Sequence, residues 1–319
     1  MIGRKANVSR APKRAGFALL AVIWGTGLIA MLIVAFMTNG RLRLQTALNV
    51  ARATEAAYIA ESAINLASLS LLAKRDAMPG GPDENLSTGE PKFCVLDRAA
   101  VALAIEDEAG KIDLNAASPE LITAALTGFG LNDGRARDVT AAILAFRAPP
   151  EGVLGTVRAA AGDKPFEPKQ ALFETTFELD QVSGVDPALY RALLPFVTVY
   201  SKAPGVDPRM TPPALFAALA GFPIEDVRAL IETPYPNGLK RTDPRFPGTF
   251  AMQGEHAALL IRAEVLLESG QTASKEALLD MRPPNGRQFA FREIRGGASR
   301  YVARLRAIIA SNGAGVPDC

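Results

Sequence analysis

Acidic side chains are absent from this 319-residue chain until Glu55, whereas Arg4, Lys5, Arg10, Lys13, Arg14, Arg41, Arg43 and Arg52 are all basic. Histidine occurs once, at His256, and cysteine twice, at Cys94 and Cys319. A structural zinc centre needs more of both. No G-x-S-x-G segment and no Cys/His pairing signal is present, so no activated nucleophile assembles and no enzyme is expected. The net charge of only +2 excludes a partner held by bulk positive charge. Hydrophobic residues make up 49% and charged residues 21%, which excludes wholesale disorder. Cys94 and Cys319 could pair in an oxidising compartment, although the Gly- and Pro-containing tail ending at Cys319 is expected to move freely.

What is present begins with 26 residues, Ala15 to Gly40, that carry no charge. About 20 residues suffice for a helix to cross the hydrocarbon core, and a signal-peptide apolar region is shorter. Five basic residues before the run against two just after it place the N-terminus in the cytoplasm. A cleaved secretory signal is the competing reading. Residues 41–73 contain neither Gly nor Pro and are rich in helix formers, so one helix is expected from Phe17 to about Lys74. Leu44, Leu48, Ala51, Ile59, Ala63 and Leu66 mark its expected apolar stripe. The Pro79-Gly80-Gly81-Pro82 cluster breaks it.

Beyond a polar loop, Ala99–Ile105 has the length of a strand, and Ser118-Pro119-Glu120 signals a helix start. An internal repeat follows: SPELITAALTGFG (118–130) aligns with TPPALFAALAGFP (211–223), with a fainter relative at 177–185. Each strong copy reads as a helix, a Gly turn and a second helix, Ala136–Phe146 or Ile224–Ile231. Such hairpins can hold nucleic-acid phosphates on free backbone N–H groups when the surface is basic. From Asp107 to Tyr235, however, eleven Lys plus Arg face seventeen Asp plus Glu, a net charge of −6. Structural packing is therefore the expected role, with no nucleic acid as partner. Residues 257–268, 273–283 and 287–296 read as a three-stranded meander, the first also fitting a helical period, and Tyr301–Ser311 as a short amphipathic helix.

Lys13-Arg14-Ala15-Gly16-Phe17-Ala18-Leu19-Leu20 resembles the prepilin peptidase site of type IV pilins and pseudopilins. Together with Ile23-Trp24, the Lys111-Ile112-Asp113-Leu114-Asn115 segment and the Gly hairpins before a meander, the chain resembles the protein K family of type II secretion systems, the large minor pseudopilins. The resemblance spans nearly the whole mature chain. It implies cleavage between Gly16 and Phe17 with N-methylation of Phe17. At the fifth mature position most pilins carry Glu; this chain has Ala21, as protein K members do, which suits a filament tip. The implied fold is α+β: a long N-terminal transmembrane helix, a small antiparallel pilin-like sheet, and a large inserted all-helical domain of helix-hairpin-helix-like repeats. Expected boundaries are a cytoplasmic leader at 1–16, a membrane helix at 17–40, its periplasmic continuation at 41–75, a loop and first strand at 76–106, the insertion at 107–235, and the remaining α/β domain at 236–319.

The implied function is a tip subunit that initiates or caps a pseudopilus exporting folded proteins across the outer membrane. Its implied partners are the other minor pseudopilins, the pseudopilus, prepilin peptidase, the inner-membrane secretion platform and membrane lipid. The location implied is the bacterial inner membrane, single-pass, with the C-terminal domain periplasmic. No cofactor is required. Some family members bind calcium, and Glu106, Asp107, Glu108 and Asp113 are the oxygen-rich candidates here, competing with a reading as ordinary surface acids. A minor pilin of a surface pilus and a hairpin-domain DNA-uptake subunit are the alternatives.

Overall fold

A computed structural model describes residues 15–77, 88–148, 169–232, 246–252, 256–282 and 287–319. Most of the expected leader and the Pro79–Pro82 breaker lie outside the described residues. Two compact units divide the chain, one ending at Glu55 and the other comprising Ala56–Cys319.

The first helix, α1 (Ala15–Ala77), contributes to both units. In the first unit every described side chain from Phe17 to Glu55 is exposed, including Phe17, Trp24 and Phe36. Such a column of bare large apolar groups is unstable in water and stable in lipid. Its hydroxyls are satisfied internally: Thr26 donates to the carbonyls of Val22 and Ile23, and Thr38 to that of Ala35, each at 3.0 Å.

The second unit is built on an antiparallel sheet. Its strands are β1 (Thr88–Leu96), β2 (Ala99–Asp107), β5 (Ala258–Leu266), β6 (Thr272–Asp280) and β7 (Ala290–Gly296), in that spatial order. Alternate residues face opposite sides. Val101, Ile105, Leu259, Ile261, Val265 and Leu279 pack against Ala60, Ala63, Ile64 and Leu71 of α1. On the other side Ala100, Ala102 and Leu266 meet Leu305 and Ile308 of a C-terminal helix (Val302–Ala310). The meander and the closing helix therefore stand where the pattern places them.

Three expectations change. The polar loop before Ala99 is strand β1, disguised by Gly89 and Pro91; the proline is tolerated because β1 is an edge strand with a register shift at Thr88/Pro91. The β1–β2 turn, Asp97-Arg98, has φ of 48° and 64° without a glycine, so it lacked the usual hairpin signal. On α1 the buried stripe is Ala56, Ala60, Ala63, Ile64, Ala67 and Leu71, while Leu66 is turned outward and Ile59 only half-buried. Alanines admit the helix close to the sheet, and weighting leucine over alanine put the expected stripe off-centre. Finally, the C-terminal tail is fastened: Cys94 and Cys319 form a disulfide, Val95 N–H donates to Pro317 O at 2.9 Å, and Cys319 N–H donates to Val95 O at 3.0 Å.

Between β2 and β5 lie the helices. These are α2 (Pro119–Gly128), α3 (Asp133–Arg147), α4 (Pro187–Leu193), α5 (Pro213–Ala220) and α6 (Ile224–Glu232). The fainter repeat relative is a 3-10 turn, Thr176–Gln181. A two-residue parallel pair, β3 (Ile112–Asp113) with β4 (Val197–Thr198), ties the start of this region to its middle. Leu121, Leu126, Ile143, Leu179 and Leu215 are fully buried in a core of their own. Phe129 stacks on Phe196 at 4.9 Å and Phe146 on Phe173 at 4.5 Å.

Candidate functional site

Two regions of the chain carry unusual physical chemistry: the apolar helix, and the junction between the sheet and the helical region. Gly16, Phe17 and Ala21 all lie in α1. Phe17 is 77% exposed and Ala21 is exposed. The helix is long and apolar enough to cross a membrane by length and composition. In the second unit, the outward face of α1 bears Tyr58, Leu66 and Leu69 beside Ser62, Asn65 and Ser70, with no charge. Glu61, the sole acid from Ala56 to Ala73, is engaged by Lys275 of β6 at 2.9 Å. A surface helix whose outward face is free of charge, its one acid here being paired at the side, is better suited to another apolar surface than to water.

The acids Glu106, Asp107, Glu108 and Asp113 are all buried, so the surface reading of them does not hold. Each is engaged by the chain itself. Lys111 Nζ lies 2.6 Å from Glu108 and 3.4 Å from Glu106, and Arg262 on β5 lies 2.5 Å from Glu106. Arg262 also reaches Glu276 at 3.0 Å; Arg295 of β7 joins Glu276 at 3.0 Å to Glu293 at 3.2 Å. Tyr200, from the helical region, donates its hydroxyl to Glu293 at 2.7 Å. Burial and this contact push the Tyr200 phenol well up.

Charge placement sorts the carboxyls. Burial alone would raise Glu106, but Lys111 and Arg262 outweigh it and hold its pKa below the ordinary value. Glu108 is raised by burial, which Lys111 offsets only in part. Burial works against the Lys111 ammonium, yet Glu106 and Glu108 together raise it. Asp113 serves the backbone, accepting from Asn115 N–H at 2.8 Å, Ala116 N–H at 3.0 Å and Lys202 N–H at 2.8 Å; burial still leaves its pKa raised. Asp107 accepts from Ala109 N–H at 2.8 Å and meets His256 Nδ1 at 2.6 Å. The four acids are therefore spread over three separate networks. Among the described residues no group of three or more His, Cys, Asp or Glu converges as metal ligands do.

Sequence reasoning missed the groups that engage these acids, Lys111, Arg262 and His256, and the Arg209–Asp207 pair beside them. The signal was present in ALLIRAEVLLE (258–268 with its flank), where Arg262 and Glu264 interrupt an apolar strand on one face. Charged residues in a strand buried on both faces must be paired.

No protein-family model matches the chain, and no curated protein does. Among solved structures, the chain is similar to one from the crystal structure of the GspK–GspI–GspJ complex of the type 2 secretion system of enterotoxigenic Escherichia coli. The likeness has a TM-score of 0.52 at 18% identity, and covers 81% of this chain and 100% of that one. At that identity the likeness shows a shared fold alone.

Proposed function

We propose that this chain is a minor pseudopilin of a type II secretion system, held in the inner membrane by α1 and assembled with other minor pseudopilins at the pseudopilus tip. One observation carries the reading. A helix bare and apolar through the first unit continues as the helix that seats on an antiparallel sheet in the second, and its outward face there is uncharged. An isolated anchor has no use for that second uncharged face, whereas a subunit packing helix on helix does. Prepilin peptidase would cut between Gly16 and Phe17, leaving Phe17 methylated. Ala21 gives a following subunit no carboxylate to neutralise its terminal ammonium in lipid, which suits the last position in a filament. The helical region would then cap that end by bulk. The role is associative and calls for no catalytic centre and no cofactor.

Intact-protein mass spectrometry after co-expression with and without a prepilin peptidase tests the class. A chain beginning at N-methylated Phe17 only when the peptidase is present is the expected result. Cleavage near Gly40, or an uncut chain in both strains, would sink it. A DNA-uptake role is disfavoured by the first hairpin itself: the N–H groups of Phe129, Gly130 and Leu131 donate to the carbonyls of Ala125, Thr127 and Leu126, so its turn offers no free N–H there to a phosphate.

A further inference from the structure

The chain leaves the sheet after Asp107 and returns to it at Ala258, and these two points are adjacent, since Asp107 pairs with Leu259 across β2 and β5. The chain therefore leaves and re-enters the sheet at one neck, and Tyr200–Glu293 is a separate tie to β7. At that neck His256 Nδ1 stands 2.6 Å from Asp107 Oδ2. Its Nε2 faces Asp207 Oδ2 at 3.5 Å and Arg209 Nη2 at 3.3 Å, both from the loop beyond β4. That loop is itself fixed to the exit strand, because Asp207 N–H donates to Ala109 O at 2.8 Å. Outgoing strand, helical region and returning strand thus meet on one imidazole.

Charge decides what state that imidazole takes. The Asp107 and Asp207 side chains are 0% and 1% exposed, and Arg209, 2.7 Å from Asp207, supplies one positive charge against two negative. With a neutral ring the group carries a buried net negative charge; with an imidazolium it is balanced. Glu174, Lys202, Asp280, Arg282 and Arg292, from the other elements, line the adjoining cleft with His256. Of these, Asp280 is matched by Arg292 at 2.7 Å. Within direct reach of the ring the balance is thus two carboxylates against one guanidinium.

We infer that His256, the only histidine of the chain, is a pH-dependent clasp that closes the neck when protonated and loosens the helical region from the sheet when it loses its proton. The hydrogen bond that the ring donates to Asp107, working against partial burial, raises the histidine pKa, in agreement with the charge count. The sign follows. A raised folded-state pKa gives stabilisation that is complete below the unfolded value of about 6.5 and is lost as pH rises through the folded value. Rising pH, not acid, opens the clasp. Two bonding patterns explain why opening is partial: the charged ring donates to both aspartates, whereas the neutral ring keeps Asp107 and accepts from Arg209. The clasp operates whatever the chain assembles with.

The test uses the full chain in detergent, purified without a histidine tag. Its single imidazole Cε1–H resonance is followed by NMR from about pH 5 to 9, and backbone hydrogen exchange is measured around 104–110 and 256–260. The expected result is a midpoint above the ordinary value, with neck protection falling through that midpoint by up to about tenfold per pH unit. His256→Gln should make neck protection independent of pH over the same window. Asp207→Asn should lower the histidine midpoint in a chain that keeps its imidazole, and it decides the matter if His256→Gln does not fold. A midpoint at or below the ordinary value, an unmoved midpoint in Asp207→Asn, or wild-type exchange that tracks His256→Gln at every pH overturns the proposal.

Discussion

The two hairpins share their letters and differ in what those letters do. In the first, Ser118 caps α2 by accepting from Leu121 N–H at 3.2 Å, and Asn132 caps α3 by accepting from Arg135 N–H at 2.9 Å. In the second, the cap position of α5 is Pro212, which makes no side-chain cap bond. The aligned glycines diverge further. Gly128 ends α2 against the partner copy, where a Cβ would lie 2.3 Å from Ala218 O. Gly221, its counterpart, has open space around it but a φ of +71°, and its N–H closes α5 onto Ala217 O at 2.9 Å. One glycine is required for closeness and the other for handedness. The repeated pattern is thus explained by two copies packing on each other, without invoking a ligand in either turn.

Substitution at these aligned positions should separate the copies. Gly128→Ala drives a methyl into backbone that cannot rotate away, costing about 3 kcal/mol. Alanine returns about 1 kcal/mol of helix propensity, so urea denaturation should show a net loss near 2 kcal/mol. Gly221→Ala should cost about 1 kcal/mol, because only the left-handed backbone opposes it. If the two variants lose equal stability, the close approach of α2 to α5 is wrong. Capping gives a smaller contrast: Ser118→Ala should lower stability by about 1 kcal/mol, while Pro212→Ala should stay within about 0.5 kcal/mol. A larger effect at Pro212 would show that the second copy depends on its proline in a way the first does not.

How much of this was legible in the sequence depended on the kind of signal. The long helix, both hairpins, the meander and the closing helix announced themselves through period, caps and Gly or Pro breaks, all local properties. Strand β1 did not, because an edge strand may carry Pro91 and a turn may use Asp97-Arg98 where glycine is expected. The buried face of α1 was misjudged because burial there is set by how near the sheet approaches, which favours alanine and cannot be read from one helix alone. The acids from Glu106 to Asp113 were read as calcium candidates or ordinary surface acids, and they are instead buried and engaged by the chain itself. Three of their partners, Arg262, His256 and Lys202, lie 156, 149 and 89 positions away from Glu106, Asp107 and Asp113, and no spacing rule reaches so far. The disulfide was missed for a related reason: the tail looked mobile until its backbone pairing with Val95 was seen.

The register across β2 and β5 has a consequence for how such a molecule can vary. Asp107 sits opposite Leu259 and Ala100 opposite Leu266 without a shift, as though the two strands were joined by an ordinary hairpin turn. In its register the sheet treats the helical region as the loop of that hairpin. Loop closure grows with the logarithm of length, at about 0.6 kcal/mol per doubling. Growing from a turn of a few residues to the span between Asp107 and Ala258 is roughly five doublings, or about 3 kcal/mol. A region that folds on its own core can offset that cost. Enlarging or trimming the helical region is therefore a small entropic perturbation to the sheet, provided Lys111 and Tyr200 keep their bonds to Glu106 and Glu293, which leaves the remainder of that region free to diverge.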